Sequence, residues 1–223
     1  MADDASSPKR DFEQSDLYQG VYSYVQQYMS RYDQSHDFNH VLRVLALSKY
    51  ILAEEHQSHP DKRFHKQAVI LAALLHDVGD RKYILPGEEN AEHMIQSVLA
   101  ANGCPPRFAA KVALIVEHVS YSSEIKRPQL VRAIMGAHQE LAVVQDADRL
   151  DAIGAVGIGR TFAYGAAKAA DRGMQGSIEH FTDKLERLEG MMKTGTGRRL
   201  ARERTRRLKE FRRWWEEENE LVS

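Results

Sequence analysis

The stretch AVILAALLHDVGD, residues 68–80, decides the fold. Its first eight residues are apolar without interruption, so a helix through them has no polar face to turn toward water and belongs at the centre of a helical protein. The expected helix spans 64–78, ends at Gly79 as its C-terminal cap, and carries His76 and Asp77 in its last turn. A carboxylate at the end of an apolar helix is costly to bury unless something pairs with it. Taken alone, the dipeptide is most simply read as a cap and a backbone hydrogen bond.

Working outward, Leu17, Val21, Val25 and Met29 recur at helical spacing, and a break rich in capping residues follows at 33–37. A helix from 39 to 56 places Val44, Leu47 and Ile51 on one stripe, with His40 one turn before Val44. Asp37 reads as the cap of that helix. Amphipathic helices are expected over 88–101 and 106–119, separated by Pro105-Pro106, and a short one over 129–138. The segment 139–170 is rich in small residues. Gly154, Gly157 and Gly159 suit close helix packing and also weaken the helix, so a break there is open. Gly173 and Gly176 mark a loop, and 177–220 reads as two helices broken near Gly195 and Gly197. With no alternating strand pattern and no repeat, the class is all-α, a single-domain helical bundle. Its domain covers 16–220, behind an acidic stretch, 1–15, read as disordered.

Composition narrows the function classes. The 223 residues include 31 Lys plus Arg and 32 Asp plus Glu, so global charge gives no pull toward nucleic acid or an anionic membrane. A single cysteine, Cys104, excludes an internal disulfide and a cysteine-rich zinc site. It reads as an ordinary small residue. No run approaches the roughly 18 apolar residues of a membrane span, and the polar N-terminus has no signal core. A cytoplasmic protein is expected, with a nuclear location also open.

His40 changes the weight of the doublet. Two imidazoles and a carboxylate form a mixed nitrogen and oxygen set that suits a divalent transition ion and leaves positions for water and substrate. A further carboxylate would complete it, and VVQDADRLDAIG (143–154) offers Asp146, Asp148 and Asp151 within an apolar helix. Periodicity does not choose among them. Asp148 shares a face with Val144 and Ala152, and Asp146 shares one with Leu150 and Ile153.

The order His, His-Asp, Asp resembles the HD superfamily of metal-dependent phosphohydrolases. The strings SHDFNHVLRV (35–44), LAALLHDVGDRKY (71–83) and VVQDADRLDAIGAVGIGRTFAYG (143–165) resemble a subgroup that includes bacterial nucleotide pyrophosphohydrolases, as does the tail 180–211. The likeness runs from about residue 20 to 213. It implies a helical HD-domain bundle with His40, His76, Asp77 and Asp148 as metal ligands, leaving Asp146 and Asp151 to support the site or the fold. The implied cofactor is one tightly held divalent ion: manganese, cobalt, nickel, iron or magnesium. The implied reaction is hydrolysis of a phosphate ester or anhydride, with a nucleotide triphosphate cut to monophosphate and pyrophosphate. The alternatives are an HD-type di-iron oxygenase, which needs further ligands for a second metal, and a non-catalytic metal-bound regulatory or nucleic-acid-binding module.

Around such an ion, Asp80 is expected to accept a proton from the attacking water and Lys82 to hold a phosphate. The competing reading of both is a loop salt bridge. Arg43, one turn after His40, and Arg160, among small residues in GIGRTF, are expected to reach substrate phosphate or to form interhelical ion pairs. His118 lies at the border of an apolar stripe, where it can touch substrate, whereas His93 is expected to meet solvent. The tail RRLARERTRRLKEFRR (198–213) has nine basic and two acidic residues. Leu200, Leu208 and Phe211 give it an apolar stripe, and WWEEENE follows, with Trp214 and Trp215 read as packing residues. A packed helix is therefore expected in place of a nucleic-acid surface. The expected partner is a small phosphorylated molecule, with no membrane, and a homodimer is compatible with the sequence.

Overall fold

A computed structural model describes residues 11–33, 35–79 and 91–220. Among these the chain is helical throughout: α1 (Asp16–Met29), α2 (Phe38–Ser58), α3 (Lys66–Leu75), α4 (Ala91–Ala101), α5 (Pro106–Glu117), α6 (Tyr121–Lys126), α7 (Pro128–Ala137), α8 (Glu140–Asp151), α9 (Gly154–Lys168), α10 (Gly173–Asp183) and α11 (Gly195–Glu220). Short 3-10 turns cover Phe12–Gln14, Ala170–Arg172 and Leu185–Met191. No strand occurs among the described residues, and no helix there is long and apolar enough to cross a membrane. The all-α class read from the apolar run holds.

The apolar run forms the hub. Every residue of α3 from Ala68 to Leu75 is buried, and α1, α2, α5 and α8 pack around it. Helix starts follow ordinary capping chemistry. Ser15 accepts from Tyr18 N at the start of α1, Asp37 from His40 N at α2, and Ser120 from Ser123 N at α6. Pro106 opens α5, where its missing N–H costs nothing.

α8 is the second buried helix, and it is polar. Glu140, Gln145, Asp146, Arg149 and Asp151 are all buried in it, and each has partners. Glu140 accepts from His65 N and Lys111 Nζ, Gln145 donates to the His118 carbonyl, and Arg149 pairs with Glu124. Such groups are tolerable because most of their polar atoms are paired, with Gln145 Oε1 and Arg149 Nε left without a partner among the described residues.

Several boundaries differ from the expectation. Residues 1–10 of the stretch read as disordered lie outside the described residues, whereas Phe12 sits in a 3-10 turn with its ring 6.0 Å from Tyr18. α6 was not foreseen. The small-residue segment does break, at Ala152-Ile153, but Gly159 takes no part in close packing, since a Cβ there would meet nothing within 4 Å. Gly173 and Gly176 lie in α10 and not in a loop. The two helices expected over 177–220 are α10 and α11, with the break ending at Gly195; Gly195 and Gly197 form the first turn of α11, where a Cβ on Gly197 would come 2.2 Å from Asp146 Oδ2. Cys104 is buried, and burial pushes its thiol up, the opposite of what a nucleophile needs.

α11 is docked by α2. Glu55, 2% exposed, accepts from Thr196 N at 2.9 Å and Thr196 Oγ1 at 3.0 Å, so it caps the start of α11 from another helix. Burial raises its pKa, but the Thr196 hydrogen bonds outweigh that and hold it below the ordinary glutamate value. Glu55→Ala is expected to destabilise the fold by about 2 kcal/mol, the range for a hydrogen-bonded charged acceptor, as read by urea unfolding. The folded pKa is depressed, so the unfolded chain binds the proton more readily. Glu55's contribution is therefore complete above the unfolded value and drains as pH falls through the folded one. The gap between wild type and variant should narrow in acid.

Candidate metal centre

α3 ends at Leu75, one residue before the doublet. His76 and Asp77 thus stand just past the helix and not in its last turn. The reason is local. His76 Nδ1 donates to the Ala73 carbonyl at 2.8 Å, satisfying an acceptor that the helix end leaves open. Gly79 turns the chain with φ +75, and its N–H donates to the Tyr28 hydroxyl at 3.0 Å, which ties the turn to α1. His40 projects from the first turn of α2, and Asp148 from the third turn of α8.

These side chains converge. His40 Nε2 and His76 Nε2 are 3.1 Å apart. Asp77 Oδ2 lies 3.3 Å from the first and 3.5 Å from the second, and Asp148 Oδ1 lies 3.6 and 3.8 Å from them. One donor atom each from His40, His76 and Asp148 falls within 4.8 Å of the others. Both histidines are buried, while the Asp148 side chain is 27% exposed and opens the cluster to solvent.

The hydrogen bonds around the imidazoles state what the cluster requires. A carbonyl can only accept, so His76 carries its proton on Nδ1. His40 Nδ1 faces the Asp151 carboxylate at 2.7 Å, so it too is the donor. In neutral rings both Nε2 atoms are then lone pairs pointing at one another across 3.1 Å. Asp77 Oδ2, buried, has no hydrogen-bond partner. Lone pairs and carboxylate oxygens gathered in this way call for a cation between them, and two imidazoles with two carboxylates fit a divalent ion. The same logic moves the protons. Burial and Arg160 pull the His40 pKa down, but the hydrogen bond to Asp151 and the negative charge of Asp77 outweigh them and raise it. Burial works against ionised Asp77, yet His76 and His40 hold it well below the usual carboxylate range.

The three aspartates of α8 part company. Asp148 joins the cluster. Asp146, fully buried, accepts from Lys193 N at 2.9 Å, Thr194 N at 2.7 Å and Thr194 Oγ1 at 2.7 Å. Asp151 faces His40 from behind. Arg43 and Arg160 meet Asp151 as well, so both form the interhelical ion pairs that were the alternative to phosphate contact. They also line a cleft of about 610 Å³ between α2 and α9, with Asp37, Asn39, Leu42 and Ala163. His118 is buried at the end of α5, its Nδ1 on the Leu114 carbonyl and its Nε2 without a partner, and it is not part of the cluster. His93 is exposed. Asp80 and Lys82 lie outside the described residues. The Tyr28 contact to the turn carried no sequence signal.

Residues 37–153 match the HD domain model, and the chain belongs to the HD domain family. It is 34% identical over 203 residues to the Bacillus subtilis (strain 168) protein YpgQ, covering 89% of this chain and 91% of that one. The crystal structure of YpgQ in complex with ADP superposes with a TM-score of 0.71 at 32% identity, over 90% of this chain and 96% of that chain. An HD-superfamily hydrolase from Bacillus thuringiensis gives a TM-score of 0.53 at 27% identity, over 90% and 95%.

Proposed function

We propose that the chain is a metal-dependent phosphohydrolase whose substrate is a nucleotide, cleaved at a phosphate ester or anhydride, with a triphosphate yielding monophosphate and pyrophosphate. The observation that carries the reading is the pair of buried Nε2 lone pairs closed by Asp77 and Asp148. The ADP bound by similar YpgQ supports a nucleotide, and the similar hydrolase supports hydrolysis. A divalent ion held there supplies Lewis acidity, acidifying a water ligand and drawing charge from a phosphoryl oxygen. Phosphoryl transfer asks little else than positioning and charge neutralisation. His40 and His76 keep their Nε2 atoms aimed inward, and the 27% exposure of Asp148 leaves the phosphate a way in. Asp80 as proton acceptor, and Lys82 and His118 as substrate contacts, belong to the same proposal, whereas Arg43 and Arg160 are engaged by Asp151.

The test is a panel of nucleoside mono-, di- and triphosphates incubated with manganese-reconstituted protein, with product identification and metal analysis after gel filtration. Pyrophosphate release with about one ion per chain is expected. Two tightly bound irons and an oxidised product would replace this reading with an oxygenase. Metal binding with no turnover of any phosphate would replace it with a non-catalytic module.

Nucleic acid is not an expected partner. On α11, Arg206 and Arg207 pair with Glu203, Arg212 with Glu186 and Glu216, and Arg213 with Glu217. Ala201, Thr205 and Leu208 face the core. Trp215 packs its ring 5.6 Å from Phe162, whereas Trp214 is exposed. Duplex DNA or RNA is expected to bind weakly and to be lost at physiological salt. Tight, salt-resistant retention in a filter-binding titration would overturn this part.

A further inference from the structure

Asp151 ends α8 with 1% of its surface exposed, and its two oxygens meet N–H groups from two other helices. Oδ2 lies 2.7 Å from His40 Nδ1, 3.0 Å from Arg43 Nη2 and 3.0 Å from Arg160 Nη1. Oδ1 lies 2.7 Å from Arg43 Nε. Arg160 also donates from Nε to the Ser35 carbonyl at 2.8 Å. A guanidinium only donates, so two arginines hold this carboxylate as a pure acceptor. The contact with His40 then has one polarity: Nδ1–H donates. The ring's other nitrogen is left as a lone pair facing His76, Asp77 and Asp148.

We infer that Asp151 is the positioning residue of the metal centre, holding His40 in the Nδ1–H tautomer and in a fixed ring plane, and that Arg43 and Arg160 are the clamp that holds Asp151. Through Arg160 and Ser35 the clamp ties α9 to the loop before α2, so the orientation of His40 depends on three elements and not on its own helix alone. A ligand imidazole needs such a partner: it sets which nitrogen is free and strengthens that nitrogen as a donor. The inference rests on His40 being a metal ligand and is independent of the substrate.

The arginines separate this inference from direct phosphate contact. A clamp acts on metal affinity, whereas a phosphate contact acts on KM with affinity for the metal unchanged. The test uses the full chain, freed of metal by chelation. Manganese Kd is measured by chelator competition, and the His40 tautomer of the metal-free protein is read from imidazole nitrogen shifts above the ring's titration. Asp151→Ala is expected to weaken manganese binding by about 10–100-fold and to populate the Nε2–H tautomer. Asp151→Asn keeps one carbonyl acceptor and should fall between wild type and Asp151→Ala. It decides the matter if Asp151→Ala does not fold. Arg160→Gln should weaken manganese binding by a smaller factor. Wild-type manganese Kd and an unchanged His40 tautomer in the folded Asp151 variants would overturn the inference. A raised KM for a nucleotide with wild-type manganese Kd in Arg160→Gln would overturn the clamp. Absence of manganese binding by the wild-type protein would instead overturn the metal reading on which both stand, whereas unbroken metal dependence without phosphohydrolysis would leave this inference intact.

Discussion

Replacing His76 with alanine is expected to empty the metal centre and abolish turnover while the helical fold survives. The ring is one of two imidazoles whose Nε2 atoms stand 3.1 Å apart, and its loss removes a donor that no neighbour can supply. Removing a residue that merely orients a metal ligand costs roughly 10–100-fold, so loss of the ligand itself should exceed that. Alanine at His40, Asp77 or Asp148 should behave alike, because the four donors share one ion. The check that does not depend on turnover is thermal. A ligand that binds only the folded chain stabilises it by about 2.7 kcal/mol at a hundredfold excess over Kd. Manganese should raise the melting temperature of the wild-type protein and leave that of the variant where it was. A manganese-dependent melting shift of wild-type size in His76→Ala, or turnover within tenfold of wild type, would remove His76 from the site.

How far the sequence reveals such a site depends on where each side chain finds its partner. The hub helix was legible because its signal is local: eight consecutive apolar residues have only one place to go. The end of that helix was not, since the turn at His76 is held by an imidazole folding back on Ala73 and by Tyr28 from another helix. Arg43 shows the same limit at long range. Nothing near it in sequence distinguishes a phosphate contact from an ion pair, because its carboxylate lies 108 residues away. The basic tail reads as a packed helix from its own apolar stripe, but its anchor is not local. Its arginines are counted easily, whereas Glu55, which caps its first turn, lies 141 residues before Thr196.

The three aspartates of α8 are the sharpest case, and they carry the second large expectation. At about 100° per residue, Asp146 and Asp148 point roughly 160° apart, whereas Asp148 and Asp151 are only about 60° apart. Asp148 and Asp151 accordingly approach opposite nitrogens of one imidazole, His40 Nε2 and Nδ1. Asp146 turns away and receives Lys193 N, Thr194 N and the Thr194 hydroxyl, joining α8 to the start of α11. Periodicity could not rank them, because α8 is buried on almost every side. Asp146→Ala should leave two backbone N–H groups and a hydroxyl without their acceptor, each worth roughly 1–3 kcal/mol when buried. Water entering the space recovers part of this, so a loss of about 3–5 kcal/mol is expected in urea unfolding of metal-free protein, with the folded fraction still binding manganese at wild-type affinity. Asp148→Ala should do the reverse. Its side chain is 27% exposed and accepts no backbone N–H, so metal-free stability should move by less than about 1 kcal/mol, while manganese binding is lost. A variant pair in which Asp146→Ala loses the metal and Asp148→Ala loses the fold would exchange the two roles. That result would mean α8 is rotated by nearly half a turn from the arrangement in which Thr194 reaches Asp146 and His40 reaches Asp151.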